Sequence, residues 1–217
     1  MILGVNDGLV STFLLVAGVA GGGMSSRDIL LTAMAGALAG AVSMCAGEYV
    51  ATKSQNQVIA GELALEKTHI DEALDEELAE MDDLVGLIGL QDETLKRQVK
   101  QYYRDNPQAL WQLMKALEFG VLDSEERSPI RAGIMSCLLF LAGSLPSVVP
   151  FFWSADRPEI GLIAAAALTI AALLIVGCVK TWATRTDAAT AAMENLIIAG
   201  CGGGLAYGVG TLVGLLL

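Results

Sequence analysis

Apolar residues in this chain fall into blocks, not into the 2- or 3.6-residue periods of a half-buried strand or surface helix. Five blocks can be drawn, at about 3–23, 29–52, 132–153, 160–180 and 195–217. Each has about the twenty residues that a helix rising ~1.5 Å per residue needs to cross ~30 Å of hydrocarbon. None alternates apolar and polar positions as a membrane-barrel strand would, so five transmembrane helices are predicted. Between the second and third lies a polar stretch, 53–131, long enough to be a small helical domain. The expected architecture is an all-α integral membrane protein. Residues 1–52 hold the first two spans, 53–131 the insert and 132–217 the last three.

Details inside the blocks refine this picture. Gly36-x-x-x-Gly40 in the second block and "CGGGLAYGVGTLVG" in the fifth offer small-residue faces on which helices can approach closely. Pro146 and Pro150 in "GSLPSVVPFFW" are expected to kink the third span. Lys53, Arg127, Arg131, Lys180 and Arg185 flank one side. The opposite loops hold Arg27, beside Asp28, and Arg157, between Asp156 and Glu159. This bias puts the N-terminus and the insert in the cytoplasm and the C-terminus on the far side. No basic n-region or A-x-A-like site marks a cleavable leader.

Composition agrees and adds one feature. The chain is 54% hydrophobic, yet carries 24 acidic against 13 basic residues, a net charge of −11. Such a balance does not suit a nucleic-acid partner. Cys45, Cys137, Cys178 and Cys201 all sit in apolar blocks without a CxxC pair, which indicates neither a disulfide framework nor a zinc knuckle.

Candidate chemistry begins at Asp7, in "GVNDGLVSTFLLVAGVAGGG". A carboxylate inside a span costs about 2.5–3.5 kcal/mol on insertion scales and marks a functional position; at the aqueous edge it would simply cap a helix. In the second span Gly36, Gly40, Met44 and Glu48 follow at i, i+4 and form one stripe. A thioether and a carboxylate on one face suit a divalent transition metal better than Mg²⁺ or Ca²⁺. The transport-pathway candidates are therefore Asp7, Met44 and Glu48.

The insert opens with "ELALEKTHIDEALDEELAEMDD", ten acids and one lysine in 22 residues. On a helix, Glu62, Glu66, His69, Glu76, Glu77 and Glu80 share one sector, while Leu63, Ile70, Leu74, Leu78, Met81 and Val85 share another. This predicts one amphipathic helix or two consecutive ones. Its acidic face is either simply solvated or repels itself until a cation binds. Glu66-x-x-His69 and Glu77-x-x-Glu80 put ligand groups one turn apart, and Met114 and Glu118 repeat the Met-then-carboxylate spacing. The metal-ligand candidates are Glu62, Glu66, His69, Glu77, Glu80, Met114 and Glu118. A di-iron carboxylate bundle needs two Glu-x-x-His motifs, and this chain has one histidine. No enzyme activity is expected.

"GVNDGLVSTFLLVAGVAG", "AGALAGAVSMCAGEYVATKSQ", "GSLPSVVPFF" and "GLAYGVGTLVG" together resemble the vacuolar iron transporter family, in order and along the whole chain. The resemblance implies a homodimer with a pore at its two-fold axis and Fe²⁺, with Mn²⁺, leaving the cytosol in exchange for protons. The metal is then substrate, and no cofactor is permanently bound. The family's pathway aspartate falls on Asp7 and its methionine on Met44. The acidic ligands of its three-helix metal-binding domain fall on Glu66, Glu77, Glu80 and Glu118, with Met114 as the thioether. Two positions depart: a glutamate of plant members is Gly36 here, and a glutamate of the insert is His69. Compact size and short termini favour a bacterial inner membrane, with a vacuolar-type membrane the expectation for a eukaryotic source. The rival reading is a non-transporting membrane protein whose acidic insert buffers or senses divalent metal.

Overall fold

The computed structural model describes residues 2–120, 127–154, 157–184 and 188–216. Regular structure among them is entirely helical: α1 (Ile2–Gly21), α2 (Ser26–Glu72), α3 (Leu74–Leu87), α4 (Glu93–Asp105), α5 (Pro107–Phe119), α6 (Pro129–Val148), α7 (Pro158–Thr184) and α8 (Ala188–Leu216). A 3₁₀ turn, Val149–Phe152, extends α6. Among the described residues five helices are long and apolar enough to cross a membrane: α1, α2, α6 with its 3₁₀ turn, α7 and α8. Arg185 and Asp156, used above to orient the chain, lie outside the described residues.

The chain forms two compact units, one of residues 1–49 and 129–217, the other of residues 50–128. One helix belongs to both. The change from apolar to charged sequence near Lys53 reads as a border, but α2 runs unbroken for 47 residues. It contains no proline, and its charge-free stretch ends at Glu48. Its start is fixed by a reciprocal cap: the Ser25 hydroxyl donates to the Asp28 carboxylate at 2.6 Å and accepts from the Asp28 N–H at 3.3 Å.

In the first unit α1 is central and packs against α6, α7 and α8. Close approach is what its glycines permit. A Cβ at Gly8 would collide with the carbonyl of Phe140 on α6, and a Cβ at Gly210 on α8 with the carbonyl of Gly18 on α1. Val16, Ile29, Ala33, Val148, Phe151 and Ala165 form an apolar cluster that ties α1, α2, α6 and α7 together. Pro146 removes a helical N–H inside α6, and α-geometry gives way to the 3₁₀ turn three residues after it, at Val149. Phe152 and Trp153 then stand exposed at the end of this helix.

The second unit holds the last part of α2 with α3, α4 and α5. The amphipathic stretch of the insert is two helices, since Ala73 leaves helical geometry (φ −134°, ψ 42°) between α2 and α3. Its apolar face builds the core: Ile70, Leu78, Met81 and Val85 are buried with Leu110 and Met114 of α5, and Leu74 packs beside them. Asp92 caps α4 by accepting from the N–H groups of Thr94 and Leu95. Gly120 ends α5 in the left-handed conformation, φ 61°.

Candidate metal sites

The first unit contains a cleft of about 270 Å³. Helix α1 lines it with Asp7, Ser11, Thr12 and Leu15, α2 with Gly36, Gly40, Ser43 and Met44, and α6 with Phe140. Asp7 and Ser11 are one turn apart, and the Ser11 hydroxyl donates to the Asp7 carbonyl at 2.5 Å. Thr12 is buried and donates to the Ser144 hydroxyl at 2.9 Å. The cleft thus gathers a carboxylate, hydroxyl oxygens and a thioether, all donors to a cation.

Two glycines shape the floor. A Cβ at Gly36 would run into the end of the Leu15 side chain, and one at Gly40 into the Phe140 ring. The small residues of the α2 stripe therefore let neighbouring side chains close in at that end, while Met44 opens on the cleft at the other. Asp7 is exposed on this unit's surface and Met44 half-buried. Glu48, one turn beyond Met44, is exposed and does not line the cleft.

The second unit brings acids together. Carboxylate oxygens of Glu66 and Glu77 and a ring nitrogen of His69 lie within 4.8 Å of one another. His69 Nδ1 is 3.5 Å from Glu77 Oε1. Glu66 and Glu77 are buried, and one oxygen of each (Glu66 Oε1 and Glu77 Oε2) has no hydrogen-bond partner. A buried oxygen left unpaired costs stability unless a proton or a cation reaches it.

Glu80 of α3 and Glu118 of α5 complete the group. Burial, then the nearby Glu118, Glu77 and Glu80, push the Glu66 carboxyl up from 4.5 to about 7. Burial also pushes Glu118 up to about 7, helped by a hydrogen bond and repulsion from Glu80 and by Glu77, while His69 acts the other way. Carboxylates crowded like this hold protons near neutrality. Four glutamates and one imidazole from α2, α3 and α5 therefore form a site that a divalent cation could hold by displacing protons.

Two residues singled out in the sequence are placed differently. Glu62 is exposed on the turn of α2 before Glu66, outside the close group. Met114 is fully buried in the apolar core with Ile70, Leu78, Met81, Val85 and Leu110. The sequence reading passed over the hydroxyls of the cleft. Their signal is the "ST" that interrupts an apolar run one turn after Asp7.

Comparison with known proteins gives the family. A model of the VIT family matches residues 1–211. Vacuolar iron transporter 2 of Oryza sativa subsp. japonica is 32% identical over 98% of this chain and 86% of its own length. Vacuolar iron transporter 1 of Tulipa gesneriana is 30% identical over 98% and 85%. A vacuolar iron transporter of Toxoplasma gondii is 26% identical over 100% and 74%. With its apolar helices, this is a membrane protein, and it belongs to the VIT family, a family of transporters and not of enzymes.

Proposed function

We propose that this protein carries divalent transition-metal ions, Fe²⁺ and Mn²⁺ among them, out of the cytosol in exchange for protons. Its five long apolar helices are read as five spans, with the acidic unit in the cytoplasm and the C-terminus on the far side of a bacterial inner membrane. The observation that carries the reading is the cleft where Asp7 and Met44 meet within the membrane-type unit. Without a cation or proton beside it, a carboxylate at such a place has no compensation for its desolvation. The names of the relatives point to iron as the cargo.

The route is completed by a second copy. Asp7 and Ser11 are exposed on a single chain, and the cleft opens on its surface. Across a two-fold axis two such clefts would face each other and close around the ion. Two Asp7 carboxylates near that axis would repel, so each departure of metal is matched by return of protons. Carboxylate and thioether together favour Fe²⁺ or Mn²⁺ over harder ions.

The cytoplasmic cluster supplies the ion. Divalent metal binds ionised carboxylates, so it must displace the protons that Glu66 and Glu118 keep up to about pH 7. Affinity of the whole protein for Mn²⁺ is expected to rise steeply between about pH 6 and 8, with about one proton released per raised carboxyl. The sign for stability is opposite in the metal-free state. A folded-state value above the unfolded one stabilises the unit fully below about 4.5, and that contribution is lost as pH rises through about 7. Calorimetric titration of the detergent-solubilised protein, in two buffers of different ionisation enthalpy, counts the protons. Glu66→Gln is expected to lower the count by about one and to flatten the pH dependence.

Transport itself is tested in proteoliposomes. An acidic interior is expected to drive accumulation of Fe²⁺ or Mn²⁺ inside against its own gradient, with the interior becoming more alkaline. Metal binding by the protein without flux would assign it instead as a membrane-bound metal buffer or sensor. Flux that runs only downhill, whatever the pH gradient, would make it a channel.

A further inference from the structure

The hydroxyls of the cleft carry more than polarity. Ser144 on α6 is buried and donates its one hydroxyl proton to the carbonyl of Phe140 at 2.9 Å. Its oxygen is then available only as an acceptor, and Thr12 on α1 donates to it at 2.9 Å. That bond consumes the proton of Thr12 in turn. What Thr12 has left for the cleft is lone pairs. Ser11, whose proton goes to the Asp7 carbonyl, is oriented in the same sense. Two neighbouring hydroxyl groups that line the cleft with Asp7 thus offer oxygen acceptors, their own protons already taken.

A pair of hydroxyls that can only accept is complementary to a hydrated cation. Waters on a metal ion point their oxygens inward and their hydrogens outward, so a wall that holds them must accept hydrogen bonds. Asp7 and Met44 offer inner ligands, whereas a hydroxyl locked as acceptor can hold the remaining waters or take the place of one. Resting on the transport reading above, the geometry points to Thr12 as a further binding residue for the passing divalent ion, with Ser144 as the positioning residue that keeps its proton out of the cleft. The bond between them spans 132 positions of sequence and ties two helices, so the orientation is built into the fold.

The consequence is a tilt of selectivity. Hydroxyl oxygen and bound water favour harder, strongly hydrated ions such as Mn²⁺, and the thioether favours softer ones such as Cd²⁺. Thr12→Val keeps the shape and removes the acceptor. In proteoliposomes with an imposed pH gradient it is expected to raise KM for Mn²⁺ by about three- to tenfold, the range of one hydrogen bond. KM for Cd²⁺ should change little, so the Mn²⁺/Cd²⁺ preference falls by a similar factor. Thr12→Ser should restore it. Ser144→Ala frees the Thr12 proton to turn inward and should shift the ratio in the same direction by less, and it stands in where the valine variant does not fold. If none of these variants alters the ratio or KM for Mn²⁺, Thr12 and Ser144 are packing groups and the inference is wrong. Absence of Mn²⁺ flux in the unmodified protein would instead overturn the transport reading beneath it.

Discussion

Gly210→Val is expected to stop the protein from assembling. At this position α8 lies so close to α1 that any Cβ would sit inside the carbonyl group of Gly18, and the Gly22 backbone nitrogen is also in the way. The obstruction is backbone on both sides, so no rotamer change relieves it, and the helices must separate. Overpacking a well-filled contact costs up to about 3 kcal/mol, and in a bilayer helix association rests on close packing. The expected result is loss of the monodisperse peak on gel filtration in detergent, with most of the protein aggregated or degraded. Gly208→Val is the control, because an added Cβ there meets open space. If both variants purify alike, the α1–α8 contact is not what holds the unit together.

The long apolar helices were legible in the sequence because crossing hydrocarbon demands a length that no soluble core does. The insert's apolar face was legible for the ordinary reason that 3.6-residue periodicity buries one side. Less could be read where the deciding facts are local breakers or distant partners. The run from Tyr49 through Lys53 to Glu66 changes from apolar to charged, yet contains no proline, and Gly61 alone does not break it, so α2 continues where composition suggests a border. At Ala73 the reverse holds: a residue of high helix propensity marks the break, because α3 must turn to lay Leu78 and Met81 on Ile70.

Among the site residues, Asp7 could be found from cost alone, since a carboxylate in a span stands out. Thr12 could not. A threonine in an apolar helix commonly bonds its own preceding turn and signals nothing. Only the fold reveals that its partner is Ser144. Met114 and Glu118 share the spacing of Met44 and Glu48, but spacing cannot separate a core methionine from one that opens on a cavity. Burial does: Met114 is sealed among aliphatic side chains, whereas Met44 reaches the cleft. Glu62 shows the same limit for acids, since one turn of helix separates it from a buried neighbour.

On the transport reading proposed above Asp7 is the decisive residue, and Asp7→Asn is expected to reduce flux of both Fe²⁺ and Mn²⁺ by about 100-fold or more. The change keeps the volume and one oxygen while removing the charge. About 2.7 kcal/mol of lost ion stabilisation is enough for that factor, which is no larger than the cost of placing the carboxylate in a span at all. Met44→Leu keeps an apolar group of similar size and removes only the sulfur. It should slow Fe²⁺ by about tenfold and Mn²⁺ less, because thioether ligation matters more to the softer ion. Gly36 sets the scale of the Asp7 effect. No carboxylate stands at that position, the space beside it is taken by the end of Leu15, and among the described residues Asp7 is the sole acid lining the cleft. Gly36→Glu in the Asp7→Asn background should therefore recover part of the flux, provided Leu15 swings aside. Initial rates at saturating metal under a fixed pH gradient measure all three. Flux in Asp7→Asn within twofold of the unmodified protein would mean that the ion takes another way through the bundle.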